Sequence, residues 1–171
     1  EERYHQLWAE LTGVEEFDES ELYRLEGRVR RLNALGFDVA EIDVDASPDG
    51  RTIRMRPKVV DAGHHTRRLM RLTGLDAEEH QARRMLNDMD TFRAKAAPHA
   101  PESVAAHQWL VEVFEPAVGS IPSHLQGKRD AAQIFHEVLD YRWYASQRES
   151  REVPLVEAAW GYIQDVLRGL P

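Results

Sequence analysis

The feature that most constrains this chain is a repeated spacing. Ala82, Met85, Leu86, Met89 and Phe92 fall at i, i+3, i+4, i+7 and i+10. That spacing makes one apolar stripe on a helix and would scatter over both faces of a strand. Asp76 with Glu79 forms a capping signature in front of it. A helix is therefore predicted from there to about Lys95, with the stripe buried. The same spacing recurs elsewhere. Tyr4, Leu7, Trp8 and Leu11 predict a short helix at 3–12. Leu22, Leu25, Val29 and Leu32 predict a helix capped by Asp18, with Glu21 at its third position, running to Leu35 and stopped by Gly36. Asp61 is the expected cap of a helix to Thr73, terminated by Gly74. Glu102 to about Glu115 should turn Val104, Leu110, Val111 and Phe114 inward, with Pro116 near its end. A long helix from about Arg129 to Arg148 should bury Ala131, Ile134, Phe135, Val138 and Leu139. The last begins at Pro154 and should bury Val156, Ala159, Ile163 and Val166.

One stretch departs from this period. Phe37, Val39, Ile42 and Val44 alternate in part with acids, Ser47 to Gly50 reads Ser-Pro-Asp-Gly, and Arg51 to Arg56 alternates cleanly. This predicts a β-hairpin around residues 38–56, ended by Pro57. The expected fold is mostly α, a helical domain with one β-hairpin, and 171 residues suit a single domain.

Composition narrows the functions available. There is no cysteine, which excludes disulfide scaffolds, thiolate zinc sites, iron–sulfur clusters and cysteine nucleophiles. No apolar run approaches the roughly 18–20 residues of a membrane span, and no signal peptide is legible, so a cytoplasmic location is expected. The chain opens on Glu1 without an initiator methionine and reads as part of something longer. The net charge of −8 hides an asymmetry: residues 1–50 carry 14 acidic and 5 basic side chains, whereas residues 51–75 carry 7 basic and 1 acidic. So acidic a molecule is not drawn as a whole to nucleic acid or to an anionic membrane, but a local anion site is compatible with it.

Within the basic segment, His64, Arg67, Arg68 and Arg71 fall at i, i+3, i+4 and i+7. Such a stripe near a helix N-terminus joins guanidinium forks to free backbone N–H groups, suited to phosphate or carboxylate. Lys58 and Arg56 could extend it, with His65 nearby. The plain alternative is that these cations pair with acidic residues of the same chain. The helices meeting at Gly74 also outline a helix–turn–helix over 62–95, with the hairpin as a wing. Its second helix would offer His80, Arg83, Arg84 and Asn87 to bases, although Asp76, Glu78 and Glu79 at its start would repel phosphates. His136-Glu137-x-x-Asp140 has the first half of a metalloprotease pattern but lacks the second histidine. A surface pair between His136 and Asp140 is the simpler reading. Phosphate loops, nucleophile elbows and dinucleotide fingerprints are absent from the sequence, so no catalytic residue, metal ligand or cofactor is assigned. Trp8, Trp109, Trp143 and Trp160 lie on four predicted helices, where they are expected to cement helix contacts.

Three stretches together, Arg30 to Asp38, Pro57 to Phe92 with Val-Val-Asp-Ala-Gly-His-His-Thr-Arg-Arg-Leu inside it, and Phe135 to Tyr144, resemble an actinobacterial family. Its members carry a C-terminal domain of unknown function behind a region similar to lipopolysaccharide kinases of the Kdo/WaaP type. The resemblance covers nearly the whole chain and implies the C-terminal domain alone. It carries no catalytic or binding residue to any position here. The expectation is a non-catalytic accessory module whose basic helix binds an acidic or phosphorylated partner, such as its kinase-like neighbour. Nucleic-acid binding is the alternative, a metal-dependent enzyme around His136 is a third reading, and a homodimer is compatible with the helical build.

Overall fold

The computed structural model describes residues 2, 3, 5, 6, 9, 13, 15–34, 41–46, 52–58 and 61–171. Strand β1 (Glu15–Asp18) leads through a 3-10 turn into α1 (Leu22–Ala34), followed by strands β2 (Glu41–Ala46) and β3 (Thr52–Lys58). Helices α2 (His64–Thr73), α3 (Glu79–Ala96) and α4 (Glu102–Trp109) come next. A π turn at Leu110–Phe114 joins α4 to α5 (Glu115–Gly119), and α6 (Ala131–Glu149) and α7 (Leu155–Asp165) complete the order. The domain is mostly helical, with an antiparallel β2–β3 hairpin.

The hairpin has a third member. The strand order is β1-β3-β2, and Phe17 pairs with Ile53. Asp18, the expected cap, is the last residue of β1, and the 3-10 turn Glu19–Glu21 that follows it leads into α1 at Leu22. Burial fixes where the strand gives way to the helix: Phe17 packs with Leu25, Val29, Ile53 and Ala94 in a small core. Pro57 does not end β3, since it pairs with Ile42 and the strand reaches Lys58. β1 pairs with β3 only up to Met55, so Pro57 has a neighbour on one side and its missing N–H is tolerated. The helix expected at 3–12 lies largely outside the described residues, as do Trp8, the turn at 47–50 and the side chains of Arg56 and Lys58.

The main core sits where α2, α3, α4 and α6 meet. Leu69, Met85, Leu86, Met89, Trp109, Phe135 and Leu139 are all buried there. The Trp109 ring meets Phe135 edge-on at 5.5 Å and Phe114 at 5.8 Å. A second core joins α6 to α7 through Ile134, Val138, Ala159, Tyr162 and Ile163. The stripe at 82–89 is thus core, as its spacing predicts. Four expected core valines are not: Val104, Val111, Val156 and Val166 are 47, 45, 83 and 37% exposed. Trp160 is 66% exposed as well, and Ala131 lies at the surface. In α4 the inward face is Ala105, Ala106 and Trp109, and in α7 it is Ala158, Ala159, Tyr162 and Ile163. Alanines let helix axes approach closely around one large ring, and the valines beside them are turned outward.

Helix ends carry further corrections. α2 begins after Gly63 with no side-chain cap from Asp61, and Gly74 ends it in the left-handed region at φ 74°. α3 is capped by a reciprocal Glu78–Gln81 pair rather than by Asp76. The Glu78 N–H donates to Gln81 Oε1 at 3.0 Å. Pro116 does not end its helix. Glu115 N–H reaches back to the Leu110 carbonyl, a widened turn just before the proline, which relieves the clash its ring would make with the carbonyl four residues earlier. Among the described residues, no helix is long and apolar enough to cross a membrane.

Candidate functional site

The basic helix is divided between core and solvent. Its buried residues are His65, Arg68 and Leu69, with Leu72 packed against the core. This stripe is rotated by one residue from His64, Arg67, Arg68 and Arg71, and it takes Arg68 inward. The Arg68 guanidinium donates twice to Asp90 of α3, at 3.0 and 2.8 Å, and lies 3.6 Å from Glu102. Arg71 is 70% exposed and 3.6 Å from the same Glu102. Arg67, at the surface, donates to the Ala62 carbonyl at 3.3 Å. His64 packs edge-on against His65 with ring centres 5.4 Å apart. Lys58 ends β3, and its side chain lies outside the described residues.

The N-terminus of α2 already holds a carboxylate. Glu79, in the first turn of α3, accepts from the N–H groups of His65 and Thr66 at 2.9 and 3.1 Å and from the Thr66 hydroxyl at 2.7 Å. Burial would raise its carboxyl, but the Thr66 hydroxyl and these two N–H groups prevail and hold it below the usual carboxylate range. The chain itself supplies the anion that this helix end attracts.

The other candidates converge elsewhere. His80, Arg83, Arg84 and Asn87 of α3 face a cleft of about 690 Å³, together with Glu26 and Arg30 of α1 and His136, Asp140 and Trp143 of α6. The face expected to read bases is therefore a cleft wall. Arg84, with a side chain 14% exposed, is wedged between Glu26 and Asp140 and donates to both. Arg30 donates to the same two carboxylates and stacks on the Trp143 ring at 4.2 Å. Each carboxylate uses one oxygen for both guanidinium groups, and the second Asp140 oxygen lies 3.5 Å from His136 Nε2. The His80 ring meets His136 edge-on at 5.2 Å, with its Nδ1 3.6 Å from Glu78. Presenting this α3 face to a duplex groove would mean pulling it away from α1 and α6.

Burial and neighbours set the charges. Burial opposes ionisation of Asp140, but Arg84 and Arg30 outweigh it and hold the carboxyl below its ordinary value. Burial, reinforced by Arg84, pushes the His136 imidazole below its ordinary value. Further along the cleft, Asp88 accepts from Trp109 Nε1 at 2.9 Å and from Arg142 at 2.8 Å. Glu152 accepts from the Tyr23 N–H at 2.8 Å, and burial raises its carboxyl despite Arg142 and that bond.

The pattern at 136–140 is split across its helix. His136 and Asp140 pair at the cleft, whereas Glu137 faces α7 and accepts from the Tyr162 hydroxyl at 2.5 Å. Gln133 Nε2 also donates to Glu137 at 2.5 Å. Among the described residues, no group of three or more histidine, aspartate or glutamate side chains is placed to hold a metal ion.

Sequence reasoning missed Glu26, Arg30 and Trp143 as site residues. Each sits on a predicted helix, but Arg84 is 58 residues from Glu26 and 56 from Asp140, and no spacing rule reaches across such a separation.

The family described as a domain of unknown function (DUF4032) matches residues 6–167. The chain belongs to this family. The match spans the cleft and the basic helix alike, so both are parts of the DUF4032 domain. No curated protein and no solved structure matches the chain.

Proposed function

We propose that this DUF4032 domain is a non-catalytic binding module that engages an acidic or phosphorylated ligand in the cleft between α1, α3 and α6. One observation carries the reading: three guanidinium groups (Arg30, Arg83, Arg84) and two imidazoles (His80, His136) gather beside Glu26 and Asp140 on the cleft lining, which also holds Lys95 and Arg142 with Asp88, Glu112 and Glu152. Glu26 and Asp140 are each shared by two arginines, so N–H donors outnumber carboxylate acceptors around that pair. In the setting that the sequence resembles, an actinobacterial cytoplasmic protein with a kinase-like N-terminal region, the ligand would be supplied by that neighbour or by its product.

The test is thermal denaturation at fixed ionic strength with inorganic phosphate, pyrophosphate and a phosphoserine peptide. Saturable stabilisation of about 2.7 kcal/mol at a hundredfold excess over Kd is expected, and it should shrink in His136→Gln. Equal responses to phosphate and to chloride would sink the reading.

A second reading is favoured by the exposure of Arg67 and Arg71, through which α2 would dock on an acidic protein surface. The variant for it is Arg67→Glu/Arg71→Glu, because Arg68 is committed to Asp90. Retained association of a partner protein with that folded variant would remove this alternative.

A further inference from the structure

We infer that the cleft takes a small amphipathic anion, a phosphate or carboxylate on an apolar body about the size of one ring. This rests on the binding-module reading and narrows it from any acidic ligand to one chemical class. Size is the first argument. A volume of about 690 Å³ falls within the roughly 300–1,000 Å³ typical of small-molecule sites, and such sites combine apolar walls with a few convergent polar groups. This cleft offers both: Arg30, Arg84 and His136 form a charged wall, and Val113, Pro116, Leu155 and Val156 supply apolar lining from the π turn, α5 and α7, with Glu112 and Glu152 also on the lining.

The second argument is the state of the charged wall. Partly exposed ion pairs contribute little net stability, so the Arg30–Glu26–Arg84–Asp140 cluster, with side chains 14–33% exposed, is poorly explained by stability alone. It is also incompletely satisfied. Arg30 Nε and His136 Nδ1 are buried without a hydrogen-bond partner. The first is a donor, and the second becomes one when the imidazole is protonated. Both atoms lie beneath the wall, so an anion beside Arg30 and Arg84 would act on them through its charge, favouring the protonated His136 that burial disfavours.

The third argument is the exposed apolar rim. Val156 lines the cleft and is yet 83% exposed, so a ligand body lying on it would remove apolar surface from water without any rearrangement of the core. A bare inorganic anion would leave that surface uncovered.

Calorimetric titration of the whole chain tests this with four probes: phenyl phosphate, benzoate, inorganic phosphate and benzyl alcohol. Phenyl phosphate or benzoate is expected to bind about tenfold or more tightly than inorganic phosphate, from covering part of one ring, and benzyl alcohol should not saturate. His136→Gln should weaken every anion. Val156→Ser, a neutral change at a position 83% exposed, should weaken the ring-bearing anions and spare inorganic phosphate. Circular dichroism of each variant establishes that it is folded. If inorganic phosphate binds as tightly as phenyl phosphate and benzoate, or Val156→Ser changes nothing, the amphipathic ligand is overturned while the binding-module reading stands. If benzyl alcohol binds as well as the anions, the anionic head group is overturned. If no anion binds to the folded chain, both readings fall.

Discussion

Asp88 shows how much a single buried side chain carries in this molecule. Its two oxygens hold Trp109 and Arg142, one at the centre of the main core and the other at the cleft. Replacing Asp88 with alanine leaves an indole N–H and a guanidinium without their acceptor in a site largely shielded from water. A loss of about 3 kcal/mol or more is expected, read from urea denaturation. Gly161 is a smaller case in which the sign is informative. Alanine in the middle of a helix normally gains about 1 kcal/mol over glycine. Here a Cβ would lie 2.6 Å from the Tyr141 hydroxyl and 2.7 Å from its ring carbon, and that hydroxyl donates to Asp165 at 2.5 Å. The Tyr141 ring must move, which disturbs its bond to Asp165. Gly161→Ala should therefore destabilise by about 1 kcal/mol, and a more stable variant would show that α6 and α7 have room to spare.

At the scale of elements, Glu79 ties the start of α3 to the start of α2. α2 has ten residues and no side-chain cap of its own, so its first N–H groups depend on this carboxylate. Glu79→Ala should cost about 1–2 kcal/mol. The loss should be local, with faster hydrogen exchange at Thr66 and its neighbours and little change in α6. Uniform acceleration across all helices would mean instead that α2 and the core unfold together. The same contact bears on the basic segment, since a phosphate at this helix end would have to displace a carboxylate that already accepts three hydrogen bonds.

For the whole molecule, pH gives the clearest prediction, because the cleft groups act in opposite directions. His136 titrates lower when folded, so the unfolded chain binds more protons between its folded value and about 6.5. Its contribution to stability is complete above that value and is lost as pH falls. Asp140 acts with the same sign lower down, its contribution being lost as pH falls below the ordinary carboxylate value. Glu152 opposes them: its carboxyl is raised, so its contribution is present at low pH and lost as pH rises through the folded value. Comparing wild type with His136→Gln cancels the Glu152 component. The variant should show a flatter dependence of unfolding free energy on pH just below about pH 6.5. Parallel curves would show that His136 titrates alike in both states.

The sequence by itself determined the class of this fold and most of its helices, because a period of three to four in apolar residues is a local property. Met85, Leu86 and Met89 are core for that reason, and Gly74 stops its helix through its own backbone freedom. Local spacing also brought His136 and Asp140 together one turn apart. Only the tertiary structure decided which neighbouring stripe of a helix turns inward. The hydrophobic effect rewards whichever face meets a partner, so Arg68 went inward with Leu69, and Val156 was left outside while Ala158 and Ala159 packed on α6. It alone joined Arg84 to Glu26 and Asp140, and gave the end of α2 to Glu79. Those pairings depend on where three helices cross, and a crossing is a property of packed surfaces, which no single segment carries.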